Sequence, residues 1–104
     1  MNDRFPDDKY FASEMVDRNL KGIELEKKGD VDGAIELYMQ NVAERTLTPH
    51  PYKRLAVIFT KRKQFDKVVE VMTIGINHFK KFLHNSDNVD DFTKRLNKAL
   101  SKLS

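Results

Sequence analysis

The sequence repeats itself at a stride of 34 residues. The stretch VDGAIELY at 31–38 stands over FDKVVEVM at 65–72. Val31 meets Phe65, Ala34 meets Val68, Ile35 meets Val69, Leu37 meets Val71 and Tyr38 meets Met72. Asp32 and Glu36 recur unchanged as Asp66 and Glu70, and only Gly33 over Lys67 breaks class. The echo runs back through Gly22 over Ala56, Leu25 over Phe59 and Lys28 over Arg62, and forward to Val42 over Ile76. A fixed stride of this kind restricts the chain to folds in which like units stack and share a core.

Each unit reads as two helices. In the first unit Gly22 and Leu25 share a helix that ends near Lys28, and Gly29 supplies a stop where left-handed backbone is cheap. A second helix begins near Val31–Asp32, with Asp32 and Asp66 in first-turn positions that suit an acid. Ala34, Ile35, Tyr38 and Val42 follow at helical spacing. The small residues Gly22 and Ala34 are expected to face each other where the helices cross. In the second unit Thr48 is the expected N-cap and Pro49 the first helical residue. Leu55, Ala56 and Phe59 form the inner stripe. Lys63 takes the place of Gly29, and a left-handed lysine there costs on the order of 1 kcal/mol.

These residues resemble the tetratricopeptide repeat, a helix–turn–helix family with the same 34-residue period. The shared features are the small residue midway along the first helix (Gly22, Ala56) and the bulky one three further on (Leu25, Phe59). Gly29-Asp30-Val31 at the turn, Ala34 early in the second helix and Tyr38 after it complete the match. The resemblance covers about residues 15–80. Departures are Arg18 at a position usually aromatic, Asn41 and then Gly75 at the late small position, and no closing proline at Thr46 or Lys80. The resemblance implies an all-α fold of antiparallel helix hairpins stacked as an α–α superhelix. Its first repeat spans about 15–46 and its second about 49–82, in one domain over residues 1–104.

Two repeats rarely suffice alone, because such units need about three to bury their faces. Residues 87–103 supply an amphipathic capping helix. Phe92, Leu96, Ala99 or Leu100, and Leu103 alternate there with Lys94, Arg95, Lys98 and Lys102, and Asp87, Asp90 and Asp91 sit at its start as the helix dipole prefers. The helix before it is expected to run on through Phe79, Phe82 and Leu83 to about His84. Tyr10, Phe11 and Met15 extend the first helix backwards. A homodimer that shares its stacking surface is the alternative to a capped monomer.

Composition narrows the function. The chain has 104 residues and no cysteine, which excludes disulfides, thiolate zinc sites and cysteine nucleophiles. A cytoplasmic setting fits, with no membrane span and no secretory leader. The net charge of +3 is unevenly spread: residues 1–46 carry 7 basic and 11 acidic side chains, residues 47–104 carry 12 and 5. Ser13, Ser86, Ser101 and Ser104 stand in no nucleophile motif. His50, His78 and His84 form no H-x-x-x-H pair and read as surface or capping residues. Asp87, Asp90 and Asp91 lack the glycine and terminal glutamate of a calcium loop. No enzyme, no cofactor and no metal is expected.

Binding remains. The resemblance implies a concave groove lined by the first helix of each repeat, which takes a protein or peptide segment. The groove candidates are Val16, Asn19, Ile23, Glu26 and Lys27 on one helix and His50, Lys53, Val57, Thr60 and Lys61 on the next. Spacing supports the second set on its own account. Lys53, Val57 and Lys61 recur every four residues, opposite the face that buries Leu55 and Phe59. A Lys–Val–Lys stripe suits an acidic partner, with Val57 and Ile23 as apolar anchors. The carboxylate clamp that some members use on heat-shock chaperones is absent, since Asn19, Ile23 and Arg54 occupy its positions. Weak nucleic-acid binding through the basic half is the alternative, but no DNA-reading helix pair or stacking aromatic array accompanies it. A self-associating structural or regulatory subunit is a third reading.

Overall fold

Gly29, at φ +90°, ends the first helix as its sequence position demands. The computed structural model describes residues 8–83 and 87–104. A short 3-10 turn, Asp8–Phe11, leads into α1 (Ser13–Lys27), α2 (Val31–Ala43), α3 (His50–Lys61), α4 (Phe65–Phe82) and α5 (Asp87–Leu103). Among the described residues every regular element is helical, and none is long and apolar enough to cross a membrane. The ends of α1 and α3, Lys27 and Lys61, are one repeat apart, as are the starts of α2 and α4, Val31 and Phe65.

The turns between paired helices are built alike. The Gly29 N–H donates to the Glu26 carbonyl at 3.0 Å and the Asp30 N–H to the Leu25 carbonyl at 2.8 Å. One stride later the Lys63 N–H donates to Thr60 at 3.0 Å and the Gln64 N–H to Phe59 at 2.8 Å. Both are Schellman closures, which satisfy helix-end carbonyls and need a left-handed residue. Lys63 takes that conformation at φ 60°, as its position under Gly29 requires. Arg45, at φ 59°, closes α2 in the same way, which the sequence pattern did not mark.

The two starts differ. Asp30 caps α2, its carboxylate accepting from the Gly33 N–H at 3.0 Å, and a Cβ on residue 33 would crowd that carboxylate. Gln64, its counterpart before α4, makes no side-chain cap. Thr48 does not cap α3. Its hydroxyl lies 3.1 Å from that of Thr46 and 3.4 Å from Asn19 Nδ2, and the helix begins one residue later than expected, at His50, with Pro51 in its first turn.

Inside the stack each helix packs on the next, and α2 also meets α4 and α3 meets α5. The core centres on Tyr38, Tyr52, Leu55, Met72, Phe79 and Phe92, all fully buried. Tyr52, Phe79 and Phe92 form an aromatic triangle with centroids 5.2 to 5.5 Å apart. Gly75 makes this possible: a Cβ there would stand 3.0 Å from the Phe92 ring and 3.1 Å from Tyr52 Cδ1. Phe92 thereby fastens α5 onto α3 and α4.

Some expected contacts shift. The three atoms nearest to a Cβ on Gly22 all belong to the Tyr38 side chain, one turn beyond Ala34; Ala34 itself is fully buried. On α5 the buried stripe is Val89, Phe92 and Ala99, with Leu96 half-buried, whereas Leu100 and Leu103 are exposed. Leu100 and Leu103 therefore do not complete the core, because a helix of this length can present only one face to α3 and α4. The expected run of α4 to about His84 lies partly outside the described residues, as do His84 and Ser86. Phe11 falls in the 3-10 turn rather than in α1 and is exposed.

Candidate functional groove between α3 and α5

α3 meets α5, and a groove of about 320 Å³ opens where they come together. Ala56 and Val57 from α3, Phe65 from the start of α4 and Ala99 from α5 give it an apolar lining. Lys61, Arg95, Lys98 and Lys102 add basic groups. Ala56 and Ala99 are small and buried, which lets the depression form. Arg95, Lys98 and Lys102 stand three, four and seven apart and so share one helix face. Arg95 is engaged by Asp91 at 2.8 Å. Lys61, Lys98 and Lys102 form no ion pair among the described residues.

Val57 and Lys61 also border a smaller hollow on the other side, with Glu26, Val31, Arg54, Ile58 and Arg62. Here a polar cluster ties the first hairpin to α3. Arg54 holds Glu26 with Nη2 at 2.5 Å from Oε1 and Nε at 3.1 Å from Oε2. The Tyr38 hydroxyl donates to Glu26 Oε2 at 2.7 Å, and His50 Nε2 lies 3.4 Å from that hydroxyl. The Arg54 guanidinium holds the Glu26 carboxyl below the usual carboxylate range against the opposing effect of burial. Burial, reinforced by the Glu26 carboxylate, raises the Tyr38 phenol. Burial and the Arg54 charge push His50 below its ordinary value. Arg54 is itself pushed up by its hydrogen bond to Glu26.

The ten groove candidates thus divide. Val57, Thr60 and Lys61 line the α3–α5 groove. Glu26 and His50 meet in the polar cluster, where Glu26 is occupied by Arg54 and Tyr38. Asn19 is bound inward: its Oδ1 accepts from Asn41 Nδ2 at 2.9 Å. Ile23 and Lys27 border a shallow depression on α1 with Asp17, Leu20, Lys21 and Glu24, and Val16 is 44% exposed on the same helix. Lys53 is half-buried on α3 and lines neither the groove nor the hollow. α1 and α3 therefore do not offer one continuous wall made of all ten.

The groove residues outside those ten candidates are Ala56, Phe65, Arg95, Lys98, Ala99 and Lys102. The basic positions of α5 were visible as a solvated face of a cap. Their one-sided spacing beside the small Ala99 was the signal that they border a groove. His50 and His78 are half-buried, and His84 lies outside the described residues. The His78 ring packs against Tyr10 at 4.7 Å and Phe82 at 4.9 Å, and burial followed by the charges of Arg45 and Lys81 lowers its pKa. Among the described residues no three His, Cys, Asp or Glu side chains converge as metal ligands.

Comparison of the chain with protein-family models, with curated proteins and with solved structures gives no match.

Proposed function

We propose that this chain is a non-enzymatic protein–protein interaction module, tetratricopeptide-like and cytoplasmic, that binds a peptide or protein segment in its concave helical face. The observation that carries this reading is the α3–α5 groove, which pairs an apolar lining with three lysines that have no acidic partner among the described residues. An apolar lining takes an anchor side chain and contributes most of the affinity, while flanking charges set register and association rate. The partner segment is therefore an apolar or aromatic residue flanked by carboxylates.

A labelled synthetic peptide with one phenylalanine between glutamates tests this by fluorescence anisotropy. Binding that weakens about tenfold or more with Lys61→Glu plus Lys98→Glu supports the reading. Affinity unchanged by that pair moves the site elsewhere. Affinity for random-sequence RNA or DNA that exceeds the peptide's and collapses with salt favours the nucleic-acid alternative.

A further inference from the structure

The outer face of α1 is apolar, whereas the terminal helix of a stack keeps a polar face when only solvent covers it. Val16, Leu20 and Ile23 stand at i, i+4 and i+7 and share one side of the helix. Val16 is 44% exposed and Leu20 61%, and Ile23 is half-buried. Leu20 is the most exposed large apolar side chain among the described residues. We propose that this face is the contact between two copies of the chain, their α1 helices lying antiparallel about a two-fold axis near Leu20. The contact is separate from the α3–α5 groove and does not depend on it.

Charge selects a second copy running the opposite way. Exposed Glu14 and Asp17 precede Leu20, and exposed Lys21, Lys27 and Lys28 follow it, with Glu24 the one exposed acid among them. None of these six forms an ion pair among the described residues. Arg18 and Glu26 are already engaged, by Glu44 and by Arg54. The half of α1 before Leu20 is therefore acidic on its free surface and the half after it basic. Antiparallel pairing sets acidic half against basic half twice and opposes the two helix dipoles favourably, whereas parallel pairing sets acid on acid. The outer face of α5 has no such match with itself. Leu100 and Leu103 are exposed there, but every charged side chain after Asp91 is a lysine or arginine. Contact of α1 with α5 of another copy would leave one face of each kind free and grow open-ended; the α1 pair closes. Nor can the contact form within one chain, because each chain has a single α1, which packs on α2 and on the 3-10 turn. One helix pair buries little area, so the dimer is weak and concentration-dependent.

The test is sedimentation equilibrium of the full chain at rising concentration, alongside Leu20→Glu, Leu100→Glu and a charge reversal, Glu14→Lys with Asp17→Lys. All four positions are exposed, and circular dichroism checks that the fold is retained. The expected result is a dimer that Leu20→Glu and the charge reversal each weaken about tenfold or more, and that Leu100→Glu leaves unchanged. Adding Lys21→Glu and Lys27→Glu to the reversal should restore affinity, since the acidic and basic halves are then exchanged. The chain has no cysteine, so Leu20→Cys introduces a single thiol. Close to the axis it should form a disulfide-linked dimer under mild oxidation faster than Leu100→Cys does. A chain that stays monomeric at every concentration overturns the proposal, as does a dimer indifferent to Leu20→Glu. Association that grows past two copies and is lost with Leu100→Glu also overturns it, in favour of contact between α1 and α5.

Discussion

Tyr38 lies across Gly22, so that a methyl group on residue 22 would stand 2.7 Å from Tyr38 Cζ. The ring spans the crossing of α1 and α2 and delivers its hydroxyl to Glu26, 2.7 Å away. The glycine is thus required by the neighbouring ring. Gly22→Ala should cost about 1–3 kcal/mol, because the ring is fully buried and cannot swing away freely. Ala34→Leu should cost a similar amount by crowding another fully buried position on α2. Urea melts measure both, and an unchanged midpoint for Gly22→Ala would contradict the packing described.

The left-handed lysine at the second turn predicts a gain. Lys63 sits at φ 60° in the same hydrogen-bonded turn that Gly29 forms one stride earlier. Lys63→Gly should therefore stabilise the fold by up to about 1 kcal/mol, since glycine adopts this backbone without the Cβ penalty. Gly29→Ala should lose about as much. Thermal or urea denaturation of both decides it, and stabilisation by neither glycine would refute the shared turn geometry.

The Arg54–Glu26 pair fastens α3 to the first hairpin. Glu26 is 17% exposed and Arg54 36%, so solvent screening trims the pair's worth. A double-mutant cycle with Glu26→Gln and Arg54→Met should give a coupling of about 1 kcal/mol, more than an ordinary surface ion pair reaches, because the contact is bidentate. Coupling near zero would mean that this pair adds nothing to the contact between α3 and the first two helices.

Acid should weaken the fold in two stages. His50 and His78 both resist protonation when folded, chiefly through burial. The unfolded chain therefore takes up protons near the ordinary imidazole value of about 6.5 that the folded chain refuses, and stability drops as pH falls below it. Arg54, Glu26 and Tyr38 face His50; Arg45, Lys81, Tyr10 and Phe82 surround His78. Glu26, held low by Arg54, contributes stability above the ordinary carboxylate value that is lost as pH falls through its lower folded value. Urea midpoints taken from about pH 7.5 downwards should show the histidine stage first, and His50→Gln should reduce it, His78 supplying the remainder. Stability constant through the imidazole range would contradict these environments.

How much of this was legible depends on distance along the chain. Local and periodic features were readable: the helix stops at Gly29 and Lys63, the packing of α1 on α2 and of α3 on α4, and α5 as an amphipathic helix. Contacts that swap chemistry between repeats were not. Arg18 and Asn41 meet at 2.8 Å in the first hairpin. One stride on, Tyr52 packs against Gly75 in the second. Sequence alone shows two mismatches with a pattern, whereas the fold shows one contact made once by a hydrogen bond and once by ring on backbone. The Asn41 amide also donates to the Met15 carbonyl at 2.9 Å, which is why a polar residue is tolerated at a fully buried site. The groove was half legible. Val57 and Lys61 follow from spacing on α3, and Thr60 from the resemblance alone. The α5 side depended on whether Ala99 or Leu100 turned inward, and an amphipathic stripe leaves that choice to the partner helices.

The central claim is that an acidic segment with one apolar anchor enters between α3 and α5. Amide chemical-shift mapping by NMR, with the glutamate–phenylalanine peptide titrated into the chain, tests it most directly. The account predicts saturable shifts centred on Val57, Thr60, Lys61, Lys98, Ala99 and Lys102. Shifts centred instead on Leu20, Ile23 and Lys27 of α1, or no saturable shifts at all, would contradict it.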